Sequence, residues 1–233
     1  LNQTFPRMEV SILKKYKDIA VIITSYNYGN YIERCLRSIL HQSIEESEYQ
    51  IILIDDASDD STGSILKNYT GTENLTIITN EKNIGLPASL NKAIRSYSSQ
   101  FVVRIDADDF VDFKYLEYLR YFLLSNSIYD AVSCDYYTVS ENEKRESRKS
   151  SIEEPIGCGI MFRRDVLVSL GLYNPDFLAR EEEDLQQRFD AAGRKMLNIP
   201  APLYRYRNHN EGITSNQAEM EKFKKKLDKD HER

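Results

Sequence analysis

The sequence has few cysteines and no long hydrophobic run, and each shortage argues against a class of protein. The three cysteines, Cys35, Cys134 and Cys158, are scattered and odd in number. This usage favours a reducing compartment and argues against a zinc site. No apolar stretch approaches the roughly 20 residues that a bilayer-spanning helix needs, and no charged region followed by an apolar segment marks a secretory signal. We therefore expect a cytoplasmic protein.

The chain also lacks an excess of positive charge. It carries 31 basic and 37 acidic residues, a formal net charge of −6 over 233 residues, which argues against a nucleic-acid partner. A chain with this balance would hold a diphosphate through a metal ion, helix N-termini and a few local basic side chains. The length suits one large domain, or a domain with an appendage.

What the sequence does contain is an alternation of apolar runs and helical patterns in its first half. The runs are typical of strands buried on both faces, and the segments between them carry apolar residues at helical spacing. Repeated alternation of this kind favours an α/β fold with a Rossmann-like, mostly parallel central sheet flanked by helices. The runs span residues 19–23, 51–54, 75–78 and 101–105.

The second half is less regular. Residues 131–137 have the pattern of a further strand, and residues 140–154 are so highly charged that they predict an exposed excursion. Residues 157–162 are rich in glycine and apolar side chains and predict a return to ordered, close-packed structure.

These patterns divide the chain into an N-terminal extension (1–18), one large domain (19–216) and a charged C-terminal helix or tail (217–233). The last segment has only a thin apolar stripe, formed by Met220, Phe223 and Leu227. It is either a solvated helix or a docking helix for a partner, a membrane surface or a missing domain. Peripheral association with the cytoplasmic face of a membrane is therefore an open alternative.

Small polar and acidic residues follow each of the four apolar runs. In open parallel sheets, ligands bind outside the carboxyl ends of the strands, so these four sets are the candidate site. Hydroxyls, an aromatic ring, amides and carboxylates together suit a nucleotide, although any one set alone is also typical of a turn. The sets are Thr24-Ser25-Tyr26-Asn27, Asp55-Asp56-Ala57-Ser58, residues 80–85 and residues 106–109.

The most informative set is the acidic one, with Asp106, Asp108 and Asp109 within four positions. Carboxylates crowded at the mouth of a buried strand repel one another unless a cation lies between them, and a divalent cation there would bridge to an anionic ligand. Asp106 and Asp108 are two apart and point the same way in extended backbone. The cluster therefore indicates an enzyme that handles a nucleoside diphosphate.

Three other residues receive specific expectations. Tyr26 can stack on a base. Asp56 can accept the N–H of a uracil-like ring or bond to a ribose. Arg104, a basic residue inside an apolar run, either pairs with the acidic cluster or reaches a phosphate.

The residues in these sets also resemble a known family. The segment Ile22-Ile23-Thr24-Ser25-Tyr26-Asn27-Tyr28-Gly29 is similar to the opening strand of glycosyltransferase family 2, of the GT-A group. Ile54-Asp55-Asp56-Ala57-Ser58 resembles its second-strand motif, Asn83-Ile84-Gly85 its third-strand loop, and Asp106-Ala107-Asp108 its DxD motif. The match runs from about residue 19 to residue 210, and the order and spacing of the motifs make it specific.

The resemblance implies a GT-A fold and a transferase of bacterial polysaccharide biosynthesis. It implies that Asp108 ligates Mn²⁺ or Mg²⁺, which would act as a Lewis acid on the departing nucleoside diphosphate. Asp106 would contact the ribose or the metal shell. The nucleotide-sugar-binding residues are expected to be Thr24, Tyr26, Asn27, Asp56, Asn83, Arg104, Asp106 and Arg207.

Transfer of a sugar to a hydroxyl also needs a general base, and the candidate region is Glu181-Glu182-Glu183-Asp184. Aligned on Asp184-Leu185 and Arg188, the family pattern places Glu182 where relatives carry a catalytic Asp. Glu is one methylene longer, so Asp184 is kept as the alternative base. Acidic residues are also common in the first turn of any helix. One base without a second nucleophilic carboxylate implies inversion at the anomeric carbon.

The segment Tyr204-Arg205-Tyr206-Arg207-Asn208-His209 resembles the Tyr-Arg-x-His segment of the family. Arg207 would grip the diphosphate, since a guanidinium matches phosphate geometry. His209 would complete the metal shell, bond to a phosphate or serve a structural role. Residues 205–216 are expected to form a loop that orders when the donor binds.

Together these expectations describe a metal-dependent, inverting glycosyltransferase. It would move a hexosyl or N-acetylhexosaminyl group from a nucleoside diphosphate donor, favoured as a UDP-sugar, to a glycan or lipid-linked acceptor. A sugar nucleotidyltransferase is the first alternative, although residues 24–30 lack the glycine-rich basic loop of that class. A catalytically degenerate binding module is the second, and the intact acidic groups argue against it. The sugar, acceptor, linkage and oligomeric state stay open.

Overall fold

The computed structural model describes residues 17–209 and 217–231. In this part of the chain, nine strands form one sheet with the order β3-β2-β1-β4-β8-β6-β9-β5, and β7 pairs with β6. The strands are β1 (Ile19–Ser25), β2 (Tyr49–Asp55), β3 (Leu75–Thr79), β4 (Phe101–Asp106), β5 (Phe110–Val111), β6 (Ala131–Val139), β7 (Arg145–Lys149), β8 (Ile160–Arg163) and β9 (Met196–Arg207).

Helices cover both faces of this sheet. They are α1 (Ile32–Leu40), α2 (Thr62–Leu66), α3 (Leu86–Ser96), α4 (Tyr115–Ser125), α5 (Arg164–Ser169), α6 (Glu181–Ala191) and α7 (Gln217–His231). Strands β1 to β4 pair in parallel, and so do β6 and β9. Strand β8 runs antiparallel between β4 and β6 and joins the two parallel groups. The α/β fold with a mostly parallel central sheet, predicted from the four apolar runs, is confirmed.

The alternation of side chains along β1 shows how the core is built. Val21 and Ile23 point to the layer that holds α1 and α4, whereas Ala20 and Ile22 point to the layer with α3, α5 and α6. All residues of β1 are buried, which is why its sequence is a continuous apolar run. Complete burial of each large apolar side chain stabilises the fold by about 1.5–3 kcal/mol, so this strand fixes the position of the residues that follow it.

The charged segment at residues 140–154 contains strand β7, which the sequence did not predict. Its first four side chains are exposed, as expected for this segment, but its backbone pairs with β6 to form a hairpin. An edge strand with charged side chains on both faces carries no hydrophobic period, so its sequence resembles a loop.

The predicted loop at 205–216 begins as strand. The backbone of Arg205, Tyr206 and Arg207 belongs to β9, paired with β6 on one side. Residues 210–216 lie outside the described residues, and so do residues 1–16 of the predicted N-terminal extension.

Helix α7 packs through a small apolar cluster. Phe223 and Leu227 are buried against Phe177 and Ala179, in the segment before α6. None of the helices in the described part of the chain has the length and hydropathy that a membrane span requires.

Candidate active site

A cavity of about 710 Å³ opens at the carboxyl ends of β1, β2 and β4. The loops after the four apolar runs meet here because the carboxyl ends of parallel strands lie at one edge of the sheet. Ten of the twelve predicted site residues line the cavity: Thr24, Tyr26, Asp56, Asn83, Arg104, Asp106, Asp108, Glu182, Arg207 and His209. Asn27 and Asp184 do not.

Asn27 joins two loops instead. Its backbone is left-handed, with φ of 60°, a conformation that asparagine tolerates better than most residues. Its N–H donates to Ser58 Oγ at 3.0 Å, and its Oδ1 accepts from the N–H of Asp59 at 3.0 Å. Asn27 therefore ties the loop after β1 to the loop after β2.

Asp184 is buried and paired within its own helix. Its Oδ2 accepts from Nε and Nη2 of Arg188, one turn further along α6, at 3.0 and 2.5 Å. Arg188 also donates to the carbonyl oxygen of Leu170. The pair fixes α6 against the loop that follows α5.

Asp56 organises the side of the cavity that is formed by the loops after β2 and β3. Its Oδ1 accepts from Asn80 Nδ2 at 2.7 Å and from the N–H of Ile84 at 3.0 Å, and its Oδ2 accepts from the N–H of Gly85 at 2.9 Å. Asn83 Oδ1 also accepts from Gly85. Because a carboxylate has about four acceptor positions, these three bonds leave one position of Asp56 unused. The ring of Tyr26 is 45% exposed at the same side.

Arg104 lies between the acidic cluster and α6. Its Nε and Nη2 donate to the two carboxylate oxygens of Asp106 at 2.6 and 3.2 Å, and its Nη1 donates to Glu181 Oε1 at 2.7 Å. The sequence left two roles open for Arg104, pairing with the acidic cluster or contact with a phosphate. In the structure Arg104 pairs with the acidic cluster.

The Arg104 contacts affect ionisation on both sides. Burial raises the pKa of Glu181 to about 7, although the guanidinium of Arg104 opposes the shift. Burial alone would lower the pKa of Arg104, but the charges of Asp106 and Glu181 raise it well above its usual value. Arg104 therefore stays protonated, while Glu181 titrates near neutral pH.

The remaining carboxylates of the cluster have different partners. Asp108 Oδ2 lies 2.8 Å from His209 Nε2. Asp109 is buried and accepts from the hydroxyl of Tyr204 and from the N–H of Arg207, both at 2.8 Å. Burial raises the pKa of Asp109, and the like charges of Asp108 and Asp106 raise it further.

A second potential set of metal ligands lies in this cluster, besides Asp108 and His209. Donor atoms of Asp106, Asp109 and Cys158 lie within 4.8 Å of one another, and the Cys158 thiol is buried. The sequence placed the metal on Asp108 and His209 and gave Cys158 no role. The sequence pointed to Cys158 only through the prediction that residues 157–162 are ordered. Because β8 pairs antiparallel with β4, the segment just before β8 lies near the end of β4.

Arg207 lines the cavity, but its side chain is committed to other protein groups. Its Nε donates to the carbonyl oxygen of Asp108 at 2.7 Å, and its Nη1 donates to the carbonyl oxygen of Glu141 at 2.7 Å. Its Nη2 lies 3.3 Å from Glu143 Oε1, and Glu143 also pairs with Arg34 at 2.9 Å. The side chain is only 3% exposed, so it holds the acidic loop in place.

Glu182 lies in the first turn of α6 and lines the cavity. The preceding residue, Arg180, has a left-handed backbone with φ of 63° and caps the helix. Its Nε donates to the carbonyl oxygen of Met220 in α7 at 2.9 Å. Within the described residues, Glu182 makes no hydrogen bond or ion pair, whereas the other carboxylates of the cavity have partners.

The fold is similar to those of solved structures. The chain matches TarS of S. aureus in complex with UDP-GlcNAc with a TM-score of 0.75 and 19% identity, over 85% of this chain and 61% of that chain. It matches the mannosyltransferase PcManGT from Pyrobaculum calidifontis, in complex with GDP-Man and Mn²⁺, with a TM-score of 0.70 and 19% identity, over 88% and 61%. At this identity the likeness shows the GT-A fold alone.

Sequence relatives agree with the structural ones. EpsH of Bacillus subtilis is 25% identical over 90% of this chain and 64% of its own length. The chain spans 18% to 64% of the length of three curated relatives. The profile described as Glycosyl transferase family 2 matches residues 20–189. The matched region includes β1 to β4 and the cavity residues from Thr24 to Glu182, and the chain therefore belongs to glycosyltransferase family 2.

Proposed function

We propose that this chain is a metal-dependent, inverting glycosyltransferase that uses a UDP-sugar donor. It would transfer a hexosyl or N-acetylhexosaminyl group to a hydroxyl of a glycan or lipid-linked acceptor. One observation carries the proposal: Glu182 faces the same cavity as the acidic cluster and, within the described residues, has no side-chain partner. A carboxylate left unpaired beside a nucleotide-type site is available to take a proton.

Glu182 would act as general base on the acceptor hydroxyl. Asp184, the alternative base, is less suited because Arg188 holds its carboxylate away from the cavity. Glu181 is also less suited, since it is buried and bonded to Arg104. A single base with no nucleophilic carboxylate beside it supports direct displacement with inversion.

The acidic cluster fits a divalent cation. Carboxylate oxygens are the ligands that Mn²⁺ and Mg²⁺ prefer. The pKa of Asp109 is raised first by burial and then by the like charges of Asp108 and Asp106, and a cation would relieve this repulsion. Asp108 and His209 would hold the ion, with Asp106 beside them. The bound cation would neutralise charge on the leaving diphosphate. The Mn²⁺ in the complex of PcManGT supports a divalent cation as the cofactor.

The preference for uridine rests on the nucleotide side of the cavity. Tyr26 offers an exposed ring, and Asp56 keeps one acceptor position, which suits the single N–H of a uracil ring. The UDP-GlcNAc in the TarS complex supports a UDP donor. TarS of Staphylococcus aureus is described as a poly(ribitol-phosphate) beta-N-acetylglucosaminyltransferase, which supports a glycan-type acceptor.

A thermal-shift series tests the proposal. UDP-, GDP-, TDP- and CMP-linked sugars would each be added with and without Mn²⁺. We expect UDP-sugars to raise the melting temperature most, and only when Mn²⁺ is present. The stabilised donor is then used to measure release of UDP. A series in which no nucleotide stabilises the protein in a metal-dependent way would refute the proposal.

A further inference from the structure

Gly157 lies against the candidate base. A β-carbon built on Gly157 would lie 2.8 Å from both Cβ and Cγ of Glu182 and 3.2 Å from Cδ. Real β-carbons do not approach other carbons below about 3.0 Å, because repulsion rises steeply at that distance. Cβ of Glu182 is fixed by the backbone of α6, so a side chain at residue 157 would force one of the two segments to move.

We infer that Gly157 is a positioning residue for Glu182. Because Gly157 has no side chain, α6 can pack closely against the segment before β8. This close packing determines the position of the Glu182 carboxylate in the cavity. This inference rests on the proposed function, in which Glu182 is the base.

Glycine is required at position 157 because a larger residue would collide with Glu182, and not because of its backbone conformation. Gly157 is not among the glycines with positive φ, whereas Gly159, two residues later, has φ of 75°. An alanine at residue 157 would thus meet no backbone strain. Its cost would come from contact with Glu182.

Gly157 also gives the side chain of Glu182 the room that it occupies. The Cβ and Cγ atoms of Glu182 occupy the volume next to Gly157. The following residue, Cys158, adjoins the acidic cluster, so the segment of residues 157–158 spans the cavity from the base to the diphosphate end.

The test is Gly157→Ala, measured as release of UDP from UDP-GlcNAc with Mn²⁺ and water as acceptor. A shift of the base by a fraction of an ångström to 1 Å lowers kcat by roughly tenfold to a hundredfold. The KM for UDP-GlcNAc and the melting-temperature shift produced by UDP with Mn²⁺ should stay close to those of the wild type. The control is Gly63→Ala, since a β-carbon at Gly63 would meet no atom within 4 Å and Gly63 does not line the cavity.

A double variant shows whether Gly157 acts through Glu182. In Glu182→Gln the residual rate is already low, and adding Gly157→Ala should lower it no further, because residues that act as one unit are not additive. Hydrogen exchange at residues 184–188, the first amides of α6 that bond within the helix, should rise in Gly157→Ala, which checks the displacement without turnover.

The outcomes separate the two proposals. An unchanged kcat in Gly157→Ala, an equal loss in the Glu182→Gln background, or a loss of UDP binding would overturn the role of Gly157 while the proposed function stands. A wild-type protein that binds and hydrolyses none of the nucleotide sugars would overturn the proposed function, and the exchange measurement would still report whether Gly157 positions α6.

Discussion

Glu182 and Asp184 are two residues apart on α6 but have different surroundings. Glu182 faces the cavity, whereas Asp184 is buried and bonded to Arg188. We expect Glu182→Gln to lower kcat by about 10²–10⁴-fold, the range for loss of a general base. Asp184→Asn should leave kcat within a few-fold and lower the free energy of unfolding by about 1–3 kcal/mol, because it weakens a buried charged pair.

Steady-state release of UDP and chemical denaturation, each on both variants, check this contrast. The reverse result, with Asp184→Asn inactive and Glu182→Gln active, would assign the base to Asp184.

Glu181 makes the free energy of unfolding depend on pH. Its pKa is raised from 4.5 to about 7 by burial, so between these values the folded state binds a proton that the unfolded state has released. The contribution of Glu181 to the free energy of unfolding is therefore highest below about pH 4.5. It falls as pH rises toward 7, by up to about 3 kcal/mol.

Denaturation at pH 5 and pH 7.5 measures this contribution when the wild type is compared with Glu181→Gln. Glu181→Gln lacks the titrating carboxyl but keeps the other titrating groups. The free energy of unfolding of the variant should therefore fall less between pH 5 and pH 7.5 than that of the wild type. Equal slopes in the two proteins would show that Glu181 does not ionise in this range.

At the scale of elements, the hairpin of β6 and β7 supports the acidic loop. Glu143, in the turn between the two strands, contacts Arg34 of α1 and Arg207 of β9, and Arg207 holds the carbonyl oxygen of Asp108. We expect Glu143→Ala to raise the Mn²⁺ concentration for half-maximal activity by about two- to fivefold, since partly exposed ion pairs contribute roughly 0.2–1 kcal/mol.

Titration of Mn²⁺, followed both by UDP release and by paramagnetic resonance of the free ion, measures this effect. The matched control is Glu146→Ala, because Glu146 lies on the same hairpin and, within the described residues, its side chain bonds to the side chain of Asn208 and to neither Arg34 nor Arg207. A similar change in both variants would mean that the hairpin as a whole, and not Glu143, determines metal affinity.

The elements differ in how well the sequence predicts them. Strands β1, β2 and β4 were predictable because burial on both faces requires continuous apolar runs. Strand β7 was not, since its exposed charged residues carry no period, and β5 has only two residues.

The site was predictable to the extent that it follows from topology. Thr24, Asp56 and Asp106 meet because parallel strands place their carboxyl ends at one edge. The contacts of Cys158 with the acidic cluster and of Gly157 with Glu182 depend on β8, which returns antiparallel from far along the chain. A contact between residues that are far apart in the chain cannot be predicted from a local sequence pattern.

At the scale of the whole molecule, α7 connects the C-terminal segment to the candidate active site. Phe223 is buried against Phe177, and Met220 receives the hydrogen bond from Arg180 at the start of α6. We expect Phe223→Ala to lower the free energy of unfolding by about 3–5 kcal/mol, the usual cost of truncating a buried phenylalanine. Lys224→Ala, an exposed neighbour, should change it by less than about 0.5 kcal/mol.

Chemical denaturation of both variants gives the comparison. If Phe223→Ala is as stable as Lys224→Ala, α7 does not form part of the cooperative unit. If it is less stable but keeps its rate of UDP release below the transition, α7 supports the fold without affecting Glu182.

The carboxylate of Asp56 has a thermodynamic consequence for binding of the proposed donor. It already accepts three N–H groups from the loop of residues 80–85, and the protein's own bonds therefore hold this wall of the cavity in shape. A preorganised wall loses little conformational entropy when a ligand arrives. Binding of the nucleoside portion should thus have a small entropic penalty, and free UDP should compete well with the whole donor, making the product an effective inhibitor.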